Sequence, residues 1–217
     1  MMPANSLADL KKRAAKIVAL LKKRHPNAKC SLDFNTPHQL MVATILSAQC
    51  TDERVNIITP ALFEKYQTVE DFAGAELADL EQMVYTTGFF KNKAKAIKES
   101  AQLIIERYGG VMPHTIDELT KLKGVGRKTA SVILGAGFGL AEGIVVDTHV
   151  GRISRLLGFT RKNDPAKIER ELMKIIPTED WIACSHLLIF HGRATCKART
   201  PDCPHCVLKK LCPSAKL

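Results

Sequence analysis

An all-α fold is expected for this 217-residue chain from three features. No segment alternates apolar and polar residues with the period of two that a half-buried strand requires. Apolar residues recur at helical spacing instead, as Leu10, Ala14, Ile17, Val18 and Leu21 do. Thr and Asp repeatedly stand where such runs begin, two of them with Glu or Gln three positions later, which is the pattern of a helix N-terminus.

Composition narrows the function classes. With 46% hydrophobic residues and no low-complexity tract, the chain should be globular throughout. A formal net charge of +10 points to a polyanionic partner, with nucleic acid ahead of a membrane surface. No apolar run approaches the ~20 residues that span a bilayer, and the N-terminus lacks signal-peptide features. A cytoplasmic protein with no membrane role is therefore expected.

The first helix should cover residues 7–24, with Lys11, Lys12, Lys16, Lys22, Lys23 and Arg24 on its solvated face and Pro26 ending it. Thr36-Pro37-His38-Gln39 supplies an N-cap, a first-turn proline and a capping-box glutamine. The following LMVATILSAQC run is apolar on most faces, so this helix should be buried. It ends in Ser47-Ala48-Gln49-Cys50-Thr51-Asp52, where Asp52 is expected to cap the next helix. Two or three short helices should follow between 53 and 84, broken near Pro60 and restarting after Thr68 and Gly74.

Gly88 closes that stretch. Phe89-Phe90 opens a lysine-rich helix running to Tyr108, where Gly109 and Gly110 stop it. One of two adjacent helix-start aromatics normally faces inward. Thr115-Ile116-Asp117-Glu118 is a second capping box, and Asp164 and Thr178 should cap helices reaching about Ile176 and His191.

The chain is organised around residues 122–149, LKGVGRKTASVILGAGFGLAEGIVVDTH. Gly124-Val125-Gly126 turns the backbone sharply just before a helix over 127–138. Free N–H groups and the positive end of the helix dipole then meet at one point, with Lys121, Lys123, Arg127 and Lys128 around it. Such a point cradles an anion, and phosphate is the obvious one.

The second strong signal is Cys196, Cys203, Cys206 and Cys212, spaced C-x6-C-x2-C-x5-C in a basic, proline-rich tail. With no export signal, disulfides are not expected and metal ligation is. Structural zinc and an iron–sulfur cluster both use such thiolates, though zinc ribbons usually bring two C-x2-C pairs together. Cys30, Cys50 and Cys184 are left over as reduced, partly buried thiols.

The helix-hairpin-helix at 115–138, the following Val-Val-Asp-Thr-His, the LSAQCTD tract and the cysteine spacing together resemble the endonuclease III family of DNA glycosylases. The resemblance covers nearly the whole chain. It implies a two-lobed fold, with a six-helix barrel over 29–140 and a discontinuous iron–sulfur lobe from 1–28 and 141–217, whose cluster loop is 196–212. It implies Lys128 and Asp147 as catalytic residues, and a [4Fe-4S] cluster on the four tail cysteines. Lys123, Gly124, Val125, Gly126 and Arg127 would bind the DNA backbone. Gln49 and Phe89 would fill the space left by an extruded base.

The implied activity is base excision repair on double-stranded DNA with damaged bases or abasic sites, by a nucleoid-associated monomer. Asp147 would stabilise an oxocarbenium-like sugar while the Lys128 amine attacks C1′, releasing an oxidised pyrimidine. β-Elimination from the Schiff base then cuts the strand. One alternative is the adenine-mismatch branch, which generally lacks a lysine at this position and carries a further C-terminal domain. Another is a non-catalytic DNA-binding iron–sulfur protein that uses the hairpin only to hold phosphates.

Overall fold

The computed structural model describes residues 6–216, and among them every regular element is helical. The chain divides into two compact units, one formed by Cys30–Glu142 and the other by the residues up to Lys29 together with those from Gly143 onward. Among the described residues no helix is long and apolar enough to cross a membrane.

The contiguous unit contains α2 (Pro37–Leu46), α3 (Asp52–Lys65), α4 (Val69–Gly74), α5 (Leu77–Val84), a 3-10 turn (Tyr85–Thr87), α6 (Phe90–Tyr108), α7 (Ile116–Leu119) and α8 (Arg127–Val132). The last of these continues as a π-helical segment, Ile133–Phe138. At the centre lies α2, packed against α3, α6, α8 and the π segment. Its Leu40, Met41, Val42, Ile45 and Leu46 are all buried, each contributing about 1.5–3 kcal/mol through removal from water. This explains why α2 has almost no polar face.

Thr36 caps α2 through Gln39 N–H, but the Gln39 side chain reaches back past Thr36 to accept from Asn35 N–H at 2.8 Å. Where the sequence favoured a longer helix, α2 stops at Leu46 and leaves Gln49 at a positive φ of 55°. Thr51, not Asp52, caps α3, because its hydroxyl is the group that meets the Arg54 N–H. Nor does Pro60 break that helix. Proline forgoes one bond, to Asn56, while Val55, Thr59 and Leu62 hold the inward face in the core.

The discontinuous unit comprises α1 (Leu7–Arg24), α9 (Thr148–Leu156), α10 (Pro165–Met173), a 3-10 turn (Thr178–Asp180), α11 (Trp181–Ala194) and the tail. Ala14, Ile17, Val18 and Leu21 of α1 share a core with Ile153, Ile168, Leu172, Leu187, Leu188 and Leu208. Arg13 reaches across it, donating to the Leu157 carbonyl at 2.6 Å and the Leu211 carbonyl at 3.1 Å, with its guanidinium over the Phe159 ring. The helix after Asp164 ends at Met173, short of the expected Ile176. Thr178 opens the 3-10 turn and provides no side-chain cap.

Candidate functional site: a glycine hairpin, a capping aspartate and four thiols

The hairpin is fastened to the core of the contiguous unit from both sides. The Lys123 carbonyl accepts from the buried Ser100 hydroxyl of α6 at 2.9 Å. A Cβ added at Gly124 would meet Ala96 of α6 at 3.3 Å and Ile45 of α2 at 3.5 Å. Gly124 also has φ +75°, so its need for glycine is both conformational and steric.

Gly126 differs. Its φ of −87° suits any residue, and nothing lies within 4 Å of where its Cβ would be. What the second glycine preserves is open space before α8. No side chain caps α8, so its first-turn N–H groups are available. Lys123, Arg127 and Lys128 are exposed around this opening, with Lys128 the second residue of the helix. Val125, by contrast, is only 5% exposed, and its N–H donates to the Leu122 carbonyl. Its buried side chain anchors the hairpin to the core.

Gln49 and Phe89 belong to this same unit. Both side chains are exposed, Phe89 at 63%. The neighbouring Phe90 turns inward, its ring 4.8 Å from that of Tyr85, so the adjacent aromatics divide as expected.

In the other unit, Asp147 is the N-cap of α9. Its Oδ1 accepts from the Val150 N–H at 2.8 Å, which fixes the carboxylate at the helix start. One turn further, Arg152 donates to the Cys196 carbonyl at 2.7 Å and lies 3.4 Å from His149 Nδ1. A Cβ at Gly192 would sit 2.6 Å from His149 Nδ1, so α9 and α11 depend on glycine for their close approach. An open groove of about 520 Å³ runs here, lined by His149, Arg152, Arg155, Arg193 and Lys197 among others. Sequence reading missed Arg152 and Arg155. The signal was present, since Arg152 follows His149 at the i,i+3 spacing that puts both on one helix face.

Cys196, Cys203, Cys206 and Cys212 line one cavity of about 30 Å³, backed by Ile153, Leu157 and Leu208. Several groups already address the sulfurs. Leu208 N–H donates to Cys206 Sγ at 3.4 Å, His191 Nε2 lies 3.6 Å from the same atom, and Arg152 reaches Cys196 Sγ at 3.8 Å. Burial raises the Cys196 and Cys206 thiols above the ordinary range, opposed by Arg152 and by the Leu208 N–H respectively. Among the described residues no three His, Cys, Asp or Glu side chains close on one ion-sized point.

The profile of the HhH-GPD superfamily of base excision DNA repair proteins matches residues 42–178, from α2 to beyond Asp147. Endonuclease III of Synechocystis is 51% identical over 97% of this chain and 96% of its own length. The chain belongs to the endonuclease III family.

Two solved structures agree with that membership across the fold. A non-covalent endonuclease III–DNA complex superposes with a TM-score of 0.87 at 44% identity, covering 94% of this chain and 96% of that one. A trapped endonuclease III–DNA covalent intermediate gives 0.86 at the same identity and the same coverage of both chains. As a family member, the chain is a base excision repair enzyme with DNA glycosylase and abasic-site lyase activity.

Proposed function

We propose that this endonuclease III homologue releases oxidised pyrimidines from duplex DNA and cuts the resulting abasic strand through a Lys128 Schiff base. The observation that carries the reading is the exposed Lys128 in the first turn of an uncapped helix. It belongs to a chain 44% identical to one trapped covalently on DNA. The same lysine disfavours the adenine-mismatch alternative, which generally lacks one at this position.

The open space at Gly126, the first-turn N–H groups, Lys123 and Arg127 hold backbone phosphates of the DNA. With the damaged nucleotide out of the stack, Gln49 and Phe89 occupy its place in the duplex and offset part of the few kcal/mol that extrusion costs. The bond from C1′ to the base nitrogen breaks, its electron pair leaving with the base. The Asp147 carboxylate stabilises the positive charge that develops on the sugar. The neutral Lys128 amine then bonds to C1′, and ring opening gives the protonated Schiff base. Loss of the C2′ proton expels the 3′ phosphate, and hydrolysis of the imine returns the lysine.

Cys196, Cys203, Cys206 and Cys212 would hold a [4Fe-4S] cluster. Four thiols around one cavity, with an N–H and a guanidinium directed at sulfur, are a donor set that fits such a group. Bound there, it supplies a covalent cross-link that fixes the 196–212 loop and its basic residues. Borohydride trapping on abasic duplex tests the central step. Lys128→Ala should abolish trapping and strand cleavage while retaining affinity for the duplex, and trapping at the parental rate would overturn the assignment.

A further inference from the structure

Among the described residues, only Gln49 and Phe89 carry a side chain at positive φ, 55° and 50°. Each such conformation costs a non-glycine residue roughly 1–2 kcal/mol, so something must hold both turns. Phe89 follows the 3-10 turn that ends at Thr87, and Gln49 lies three residues beyond Leu46, where α2 ends.

Lys93 lies between those two ends. Its side chain is directed inward and the residue is only 5% exposed, although three lysines nearby on the same helix, Lys91, Lys95 and Lys98, reach solvent or half-buried positions. Its ammonium donates to the Leu46 carbonyl at 2.8 Å and to the Thr87 carbonyl at 2.7 Å. Its own backbone N–H donates to the Phe89 carbonyl at 3.1 Å, so one residue grips the Phe89 turn twice. Among the described residues no carboxylate pairs with it.

The end of α2 depends on this contact. Ala43 O accepts from Ser47 N–H, Thr44 O from the Ser47 hydroxyl and Ile45 O from Ala48 N–H, leaving Leu46 O to the lysine. A cation at the negative end of a helix is favourable. Burying an ammonium against neutral carbonyls is still costly, and an apolar side chain of similar length would fill the space more cheaply. Burial lowers the Lys93 pKa, with nearby Cys50 opposing.

We propose that Lys93 is a positioning residue which sets the separation of the Gln49 and Phe89 turns, so that both side chains enter the duplex together when a base is extruded. This rests on the assignment of those two residues as void-fillers. The hairpin joins the same frame, since Gly124 packs against α2 and α6, the helices that Lys93 links.

The test compares two single-turnover rates, base release from a duplex with thymine glycol opposite adenine and cleavage of a preformed abasic duplex. A 2-aminopurine beside the lesion reports unstacking by its fluorescence. Lys93→Met should slow base release about tenfold or more relative to abasic cleavage and diminish the fluorescence rise, because each base–side-chain stack lost is worth ~1–3 kcal/mol. Lys93→Arg keeps the charge but changes the reach, so its rate ratio and fluorescence should fall between those of the parent and Lys93→Met. Should the methionine variant fail to fold, the arginine variant decides. A parental ratio in a folded variant, or equal slowing of both reactions, overturns the proposal. Gln49→Ala and Phe89→Ala run alongside: if neither changes the ratio, the void-filling assignment itself fails, whatever Lys93 does.

Discussion

Asp147 Oδ1 lies 2.8 Å from the Val150 N–H, so the carboxylate proposed to stabilise the sugar cation also caps α9. The two duties separate by substitution. Asparagine caps a helix about as well as aspartate but carries no charge, whereas alanine loses both. Asp147→Asn should therefore keep the parental melting temperature and lose base release, while Asp147→Ala should lose about 1 kcal/mol of stability as well. Calorimetry beside a glycosylase assay decides it, and full activity in the asparagine variant would remove Asp147 from the chemistry.

The two hairpin glycines should fail differently. Gly124→Ala forces a side chain to φ +75° and against Ala96, so it should cost stability by ~1–2 kcal/mol or more. A Cβ at Gly126 meets nothing within 4 Å, so Gly126→Val should cost less stability than Gly124→Ala. Its effect should be weaker binding to every duplex alike, since it obstructs a phosphate and reads no base. Binding should also fall steeply with salt as condensed counterions are released. An unchanged Gly126→Val affinity would show that no phosphate approaches this opening.

Anaerobically purified protein should be yellow-brown, with about four irons per chain. Cys206→Ser should lose iron and expose the tail to trypsin at Lys197, Arg199 and Lys209. Colourless protein with stoichiometric zinc would reject the cluster.

His38 gives a pH signature. The residue is only 5% exposed, its Nε2 has no hydrogen-bond partner among the described residues, and its ring packs edge-on to Phe72. Burial pulls its pKa from 6.5 to about 4, with Glu70 opposing. Because the folded value lies below the unfolded one, the unfolded chain takes up the proton first as pH falls. Stability is then full above pH 6.5 and declines toward pH 4. Between pH 7 and 5 this one group should remove about 2 kcal/mol, a loss that His38→Leu should lack. Urea midpoints at both pH values test it, and equal losses in the two proteins would refute it.

Local signals carried much of this fold. Thr36, Thr115 and Asp164 cap the helices expected of them because a cap is decided within three residues. The four thiols and the glycine hairpin were legible for the same reason, being compact in sequence. What escaped depends on distant partners. The early end of α2 involves a lysine 47 residues away, and nothing local singles that lysine out from the others of its lysine-rich helix. Passage of α3 through Pro60 reflects the burial of its inward face, which proline's own preference cannot report. That the Val125 side chain turns into the core was likewise not legible, because sequence does not say which way a hairpin's apolar centre points.

The division of the chain has a consequence for its biosynthesis. Residues 30–142 are contiguous and can collapse as soon as they leave the ribosome, whereas α1 belongs to the other unit. Its apolar face, Ala14 to Leu21, has partners that include Leu187 and Leu208, and Arg13 waits for the Leu211 carbonyl. At about 5–20 residues per second, some ten to forty seconds separate synthesis of the helix from that of its last partners. Until then the amphipathic segment stays uncovered, and once residue 142 has emerged it precedes a unit that can already fold. Nascent-chain chaperones should find their longest-lived target here, and translational pausing before the tail would prolong its vulnerability to aggregation and proteolysis.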